Sequence, residues 1–364
     1  MQRYLVGAAV LALTAGTAQA GGIDRSGQGI GFMFEEGNVV ELTFGSVSPS
    51  VSGVAAPALG STLSGDMSPT YSLFSVAYKQ QFTDQFSFGI MMDQPFGADV
   101  NYATGTGYPF AGATASVDSN ALTAIGRYEI NENFSVHAGL RAVQTKGQVN
   151  NLPISLPGIY NMSTDTQTDY GYLVGVAYEI PDIALRAALT YNSEVTHNLN
   201  LTEAITTGLG TSTFSTQMTT VMPQSVNLDF QTGIAADTLL MASVRWVDWG
   251  VFDITPAALG AALVDYDSST TTYSLGVGRK FNDMLSGSVS VGYEKPGGDP
   301  VGNLGPTDGN TSLGVAMKYS LNDSTSVSAG VRHIWIGDAT TSTIGSTFAD
   351  NTGWAAGLKL SHSF

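Results

Sequence analysis

Cysteine is absent from the 364 residues, and charge is scarce: Asp, Glu, Lys and Arg together make up 12% of the chain, about half of the ~25% usual in soluble domains. The first absence removes disulfide frameworks, zinc-thiolate sites and thiol catalysis together. The second, beside 16 Phe and 15 Tyr, excludes a disordered chain. Positive charge is the scarcer sign, with 14 Lys and Arg against 30 Asp and Glu for a net charge of −16. A nucleic-acid binder, which needs a basic patch, is therefore excluded. No apolar run of about 20 residues occurs after residue 20, so no transmembrane helix is expected. His137, His197, His333 and His362 show no metal-ligand spacing, and there is no Gly-x-Ser-x-Gly elbow. Neither an enzyme, a metal nor a cofactor is expected. Asp299 and Asp308, in a Gly-rich loop, fit no EF-hand spacing and read as solvated.

What is present begins with a leader. Arg3 precedes an apolar run from Tyr4 to Ala15, and Ala18-Gln19-Ala20 forms a cleavage site, so residues 1–20 read as a secretory signal. Beyond it, apolar and small or polar residues alternate with period two. Phe134, Val136, Ala138, Leu140 and Ala142 share one parity, and Ser135, His137, Gly139 and Arg141 the other. The same contrast recurs at Leu285–Tyr293 and Leu313–Leu321, and this period is that of a strand. It fits a soluble sandwich and a membrane barrel equally.

The connections separate the two. Tight turns at Thr83-Asp84, Asn131-Glu132, Pro181-Asp182, Ala236-Asp237, Asn282-Asp283 and Asn322-Asp323 alternate with long connections at about 48–68, 96–115, 148–166, 201–221, 251–267, 297–309 and 339–350. Six short turns and seven long loops require fourteen strands, the asymmetry of outer-membrane barrels. We place them at 38–47, 69–82, 85–95, 116–130, 133–147, 168–180, 183–199, 222–235, 238–250, 268–281, 284–296, 310–321, 324–338 and 351–364. The fold class expected is all-β: an antiparallel transmembrane β-barrel over 38–364, with a short N-terminal plug at 21–37. Tyr128, Tyr178, Phe281, Tyr293 and Tyr319 stand near strand ends, as interface girdles do. The last strand ends in Phe364, an aromatic terminus of the kind that barrel-assembly machinery favours.

The segment from Met222-Pro223-Gln224-Ser225-Val226-Asn227-Leu228 to Arg245-Trp246-Val247-Asp248-Trp249, together with Asp93-Gln94-Pro95-Phe96-Gly97-Ala98, resembles the FadL-type long-chain fatty acid and toluene (hydrocarbon) transporters of bacterial outer membranes. The resemblance extends over most of the chain and implies a fourteen-stranded barrel with an N-terminal hatch in the lumen. It departs from the family in its hatch, which is short and carries no Asn-Pro-Ala motif. Gly27, Gly29 and Gly31 have no strand before them, so they read as plug backbone rather than a phosphate loop.

Lumen chemistry follows from parity. Arg127, Arg141, Arg186, Arg245, Lys318, Arg332 and Lys359 all fall on the inward side. Arg141, Arg245 and Arg332 form a middle tier suited to a fatty carboxylate, because guanidinium is a bidentate fork. Arg127, Arg186 and Lys318 form a lower tier near Glu129 and Glu179. Gln94, Pro95, Phe96 and Gly97 mark a break in strand 3, which in the family opens the wall sideways. Leu152, Ile154, Leu156 and Ile159 in one loop, and Phe252, Leu259 and Leu263 in another, are expected as external apolar patches, where the resemblance implies a groove for greasy ligands. The function expected is passive, monomeric uptake of hydrophobic compounds, long-chain fatty acids foremost, into the membrane. The alternatives are a water-filled general porin and a structural or adhesive barrel.

Overall fold

The computed structural model describes residues 22–154, 158–298 and 300–364; the leader, Leu156 and Asp299 lie outside them. Among the described residues fourteen strands close into one antiparallel barrel. They are β1 (Val39–Ser50), β2 (Tyr71–Gln81), β3 (Phe86–Asp93), β4 (Thr114–Glu129), β5 (Phe134–Pro153), β6 (Gln167–Ile180), β7 (Leu185–Asn192), β8 (Ser225–Ala235), β9 (Thr238–Val247), β10 (Thr270–Lys280), β11 (Leu285–Glu294), β12 (Asn310–Ser320), β13 (Thr325–Ile336) and β14 (Thr352–Ser363). Closure is made by β1, which pairs with β14 from Val39↔Ser363 to Ser50↔Thr352.

Alternation becomes two unlike surfaces. Val277, Val289, Val315 and Val331 lie opposite one another on β10 to β13 and are exposed on the outside. The next row, Gly276, Ser290, Gly314 and Arg332, faces in. Exposed valines on a water-facing wall would forgo their transfer free energy; against lipid they lose nothing. Phe82, Tyr128, Phe134, Tyr178, Phe281 and Tyr319 stand exposed near the short turns as one girdle. The turns are held by side chains that mimic backbone: Asn131 Oδ1 accepts from the amides of Asn133 and Phe134, both at 2.9 Å, and Asn282 Oδ1 does the same for Met284 and Leu285.

The long connections differ from expectation. Strand 5 runs on to Pro153, and Gly158–Thr164 pairs back onto it. The stretch placed at 183–199 as one strand is interrupted after Asn192. Its continuation, Val195–Thr207, leaves β8 and pairs with Gly158–Thr164 on one side and Gly210–Met222 on the other. Strand 8 accordingly starts at Ser225, and much of the expected 201–221 loop is a hairpin. Its richness in Thr and Ser suggests a loop, but Thr is a good strand former, and Leu199, Leu201, Met218 and Met222 turn inward and are buried. The result is a sheet collar above the lipid belt.

A charge on the lipid face tests the orientation. Val289→Arg is expected to destabilise the barrel by about 2–4 kcal/mol, whereas Ser288→Arg, one residue away on the lumen side, is expected to leave it nearly unchanged. Urea unfolding in detergent, followed by the gel shift of folded barrel, measures both.

Candidate functional site

Residues 22–37 run inside the barrel, held by polar contacts at two heights. At the upper one, Arg245 on β9 forks onto Asp24, with Nε to Oδ2 at 2.6 Å and Nη2 to Oδ1 at 3.2 Å. Its remaining donors go to Asn227 Oδ1 at 2.7 Å, Ser225 Oγ at 3.1 Å and Gln28 Oε1 at 3.3 Å. At the lower height Phe34 has the guanidinium of Arg127 over its ring at 4.7 Å and that of Arg186 at 4.8 Å. Arg127 also pairs with Glu129 at 3.2 Å and with Glu179.

The middle tier is divided in three. Arg245 is fully committed, to Asp24 and Gln28 of the N-terminal segment and to Ser225 and Asn227 on β8. Arg141 donates from Nε to Thr123 Oγ1 at 3.0 Å, is buried, and has Asp93 and Arg245 as its charged neighbours. Arg332 has no carboxylate or hydrogen-bond partner among the described residues. It lines a cavity of about 370 Å³ together with Ser290, Ser312 and Gly314. A methyl group on Gly314 would fall 2.9 Å from Ser290 Oγ, so the glycine leaves room for that hydroxyl beside Arg332. The three arginines therefore do not form one anion site. Sequence reasoning overlooked Asp24, Arg25, Ser26 and Gln28, whose polar character within a Gly-rich plug was the available signal.

Strand 3 stops at Asp93 and resumes as Gly97–Asn101, still paired with β4. Its other edge turns away from β2. Pro95 O accepts from Arg25 N at 2.8 Å, Gly97 N donates to Ile23 O at 2.8 Å, and Asp24 bridges Phe96. Pairing of β2 with β3 ends at Val76↔Met92. Above it residues 71–75 pair only with β1, apart from one bond from Phe74 N to Gln94 Oε1 at 3.1 Å. The N-terminal segment thus takes the place of β2 beside strand 3. A Cβ at Gly97 would fall 2.6 Å from the guanidinium of Arg25, which reaches past it to Asp99 at 2.6 Å, so a larger residue there would displace that side chain. The large cavity extends to this unpaired stretch, with Leu73, Phe74, Ser75 and Gln94 on its wall, and Phe74 packs on Phe44 at 5.0 Å.

The residues expected as external apolar patches are mostly interior. Leu152 and Phe252 are buried, and Ile154, Leu259 and Leu263 pack on the core of the collar; Ile159 is half-buried. Water would penalise them outside, so the collar folds over them. Beneath lies a second, apolar cavity of about 60 Å³ lined by Val100, Met162, Leu199, Phe252, Ile254 and Leu263 among others. Ile23, on its wall, belongs to one buried cluster with Phe96 and Trp249. Asp308, expected to be solvated, accepts from the amides of Gly297 at 2.6 Å and Gly298 at 2.9 Å, so it braces a turn in its Gly-rich loop.

The profile of the family described as "Outer membrane protein transport protein (OMPP1/FadL/TodX)" matches residues 36–361. The chain belongs to the FadL/TodX family. It is a transport channel of the bacterial outer membrane and not an enzyme. Its fold is similar to that of a Pseudomonas aeruginosa FadL homologue, with a TM-score of 0.76 and 17% identity over 91% of each chain. The Pseudomonas putida toluene transporter TodX follows at 0.66 and 15% over 90% of each. The CymD monoaromatic hydrocarbon channel gives 0.60 and 14% over 90% of this chain and 89% of that one. No curated protein sequence matches.

Because Asp24 and Arg245 are both buried, removing one strands the other. Arg245→Ala is expected to weaken docking of the N-terminal segment by about 3 kcal/mol, seen as faster hydrogen exchange in residues 22–37 with the barrel strands still protected.

Proposed function

We propose that this FadL/TodX family channel takes up hydrophobic small molecules, long-chain fatty acids foremost, and releases them sideways into the membrane between β2 and β3. The observation that carries the reading is the one-sided pairing of residues 71–75 beside a cavity in the lumen. In hydrocarbon an unpaired strand edge is costly unless protein or ligand covers it, and an apolar solute leaving there avoids the aqueous periplasm. The apolar cavity beneath the collar receives the ligand, and Ile23, Phe96 and Trp249 separate it from the large cavity. Displacing residues 23–25 joins the two. Arg332, alone of the middle tier in lacking a partner among the described residues, meets the carboxylate of a fatty acid. The exposed terminal Phe364 presents the last strand to the assembly machinery, and the barrel works as a monomer.

A deletion strain carrying the gene on a plasmid, scored for uptake of oleate and of toluene, tests the ligand class. Arg332→Ala is expected to lower oleate uptake and spare toluene; equal effects on both would remove Arg332 from the reading. The absence of cysteine makes the exit testable too. With Ser75→Cys and Gln94→Cys joined by a short bismaleimide, uptake of both ligands is expected to fall severalfold, and undiminished uptake would rule out the sideways route. Ion conductance and sugar passage in planar bilayers would instead support the water-filled porin, whose one structural argument is the Ser and Gly lining of β10–β13.

A further inference from the structure

Glu203 lies in the collar strand Val195–Thr207, is fully buried, and has no cationic partner among the described residues. A carboxylate removed from water without a counter-ion must find donors. Glu203 finds them on three separate segments. Tyr160 donates its hydroxyl to Oε2 at 2.7 Å from the strand Gly158–Thr164, and Thr216 donates to Oε1 from the strand Gly210–Met222. The amides of Ala258 and Leu259 donate at 3.1 and 3.2 Å from the loop after β9. Burial pushes the carboxyl up, yet these hydrogen bonds prevail and hold it below the usual carboxylate range.

The loop it grips is made of small and apolar residues, Pro256-Ala257-Ala258-Leu259-Gly260-Ala261-Ala262-Leu263. Ala257, Gly260, Ala261 and Ala262 are exposed, whereas Leu259 packs on the collar core and Leu263 walls the apolar cavity. The backbone bonds of the loop are local, Gly260 N to Pro256 O at 3.0 Å and Leu263 N to Ile254 O at 2.8 Å. The two amide bonds to Glu203 tie its middle to the collar strand Val195–Thr207, while Thr220 Oγ1 donates to Asp253 O at 2.7 Å before its start.

We infer that Glu203 is a positioning residue for uptake: its carboxylate clamps the 256–263 loop as the outer wall of the apolar cavity, and so sets how tightly incoming ligand is captured. This rests on the uptake reading, but the clamp has a readout of its own. In the full-length protein in detergent, Glu203→Ala is expected to speed hydrogen exchange in residues 256–263 while the barrel strands keep their protection. In cells, the half-saturating oleate concentration is expected to rise roughly tenfold, about the value of one lost buried Leu contact, with maximal uptake unchanged. Glu203→Gln keeps the size but only one acceptor oxygen, whereas the two loop amides donate to different oxygens, so it is expected to show both changes in smaller measure than Glu203→Ala. Unchanged exchange at 256–263 in Glu203→Ala overturns the clamp, whatever the uptake result. Faster exchange with an unchanged half-saturating concentration overturns its role in capture. If the wild type takes up neither oleate nor toluene, the uptake reading fails and the exchange experiment still decides the clamp. If Glu203→Ala does not fold, Tyr160→Phe, which removes one of the four donors, is expected to show the same two changes in smaller measure, and its showing neither overturns the proposal.

Discussion

A bilayer offers no partner to a peptide group, so each backbone donor and acceptor at lipid depth must be matched by another strand. That requirement shapes the whole molecule. It closes β1 onto β14, fixes the antiparallel register around the ring, and sends one parity of side chains to the lipid and the other to the lumen. Charge is scarce because half of every strand cannot carry it. Where the ring relaxes the requirement, above Val76 and Met92, the freed edge of strand 3 is taken up by residues 23–25 of the N-terminal segment.

The lumen follows the opposite logic. Charges that face inward find partners, and here many partners come from the N-terminal segment: Asp24 for Arg245, the Phe34 ring for Arg127 and Arg186, and the Glu35 carbonyl for Lys79. The segment lies against the β2–β9 side. Opposite it, the small residues of β10–β13 leave room, and Arg332 is left facing that room. The N-terminal segment therefore sits firmly without filling the barrel.

Strand number, order and inward parity were legible in the sequence because period-two alternation and Asn-containing turns are local signals. The break at Gln94–Gly97 was legible for the same reason, since Pro and Gly act where they stand. The collar was not: its Thr- and Ser-rich strands are stabilised by pairing with one another rather than by any local pattern. The arginine tier failed for a different reason. Asp24 and Arg245 are 221 residues apart in the chain, and nothing near Arg245 in sequence announces that its fork is already occupied. Parity says which way a side chain points; it does not say what is waiting there.

The ladder between residues 23–25 and 95–97 carries one more consequence. Bonds that dock the N-terminal segment are the bonds that keep the bent part of strand 3 from lying alongside β2. Removing the segment would not simply unblock a pipe. It would strip residues 95–97 of the backbone partners they have in residues 23–25 and leave the upper edge of strand 3 with donors and acceptors to satisfy elsewhere. The N-terminal segment and the bent part of strand 3 are thus one hydrogen-bonded unit, and a change in either reaches the other.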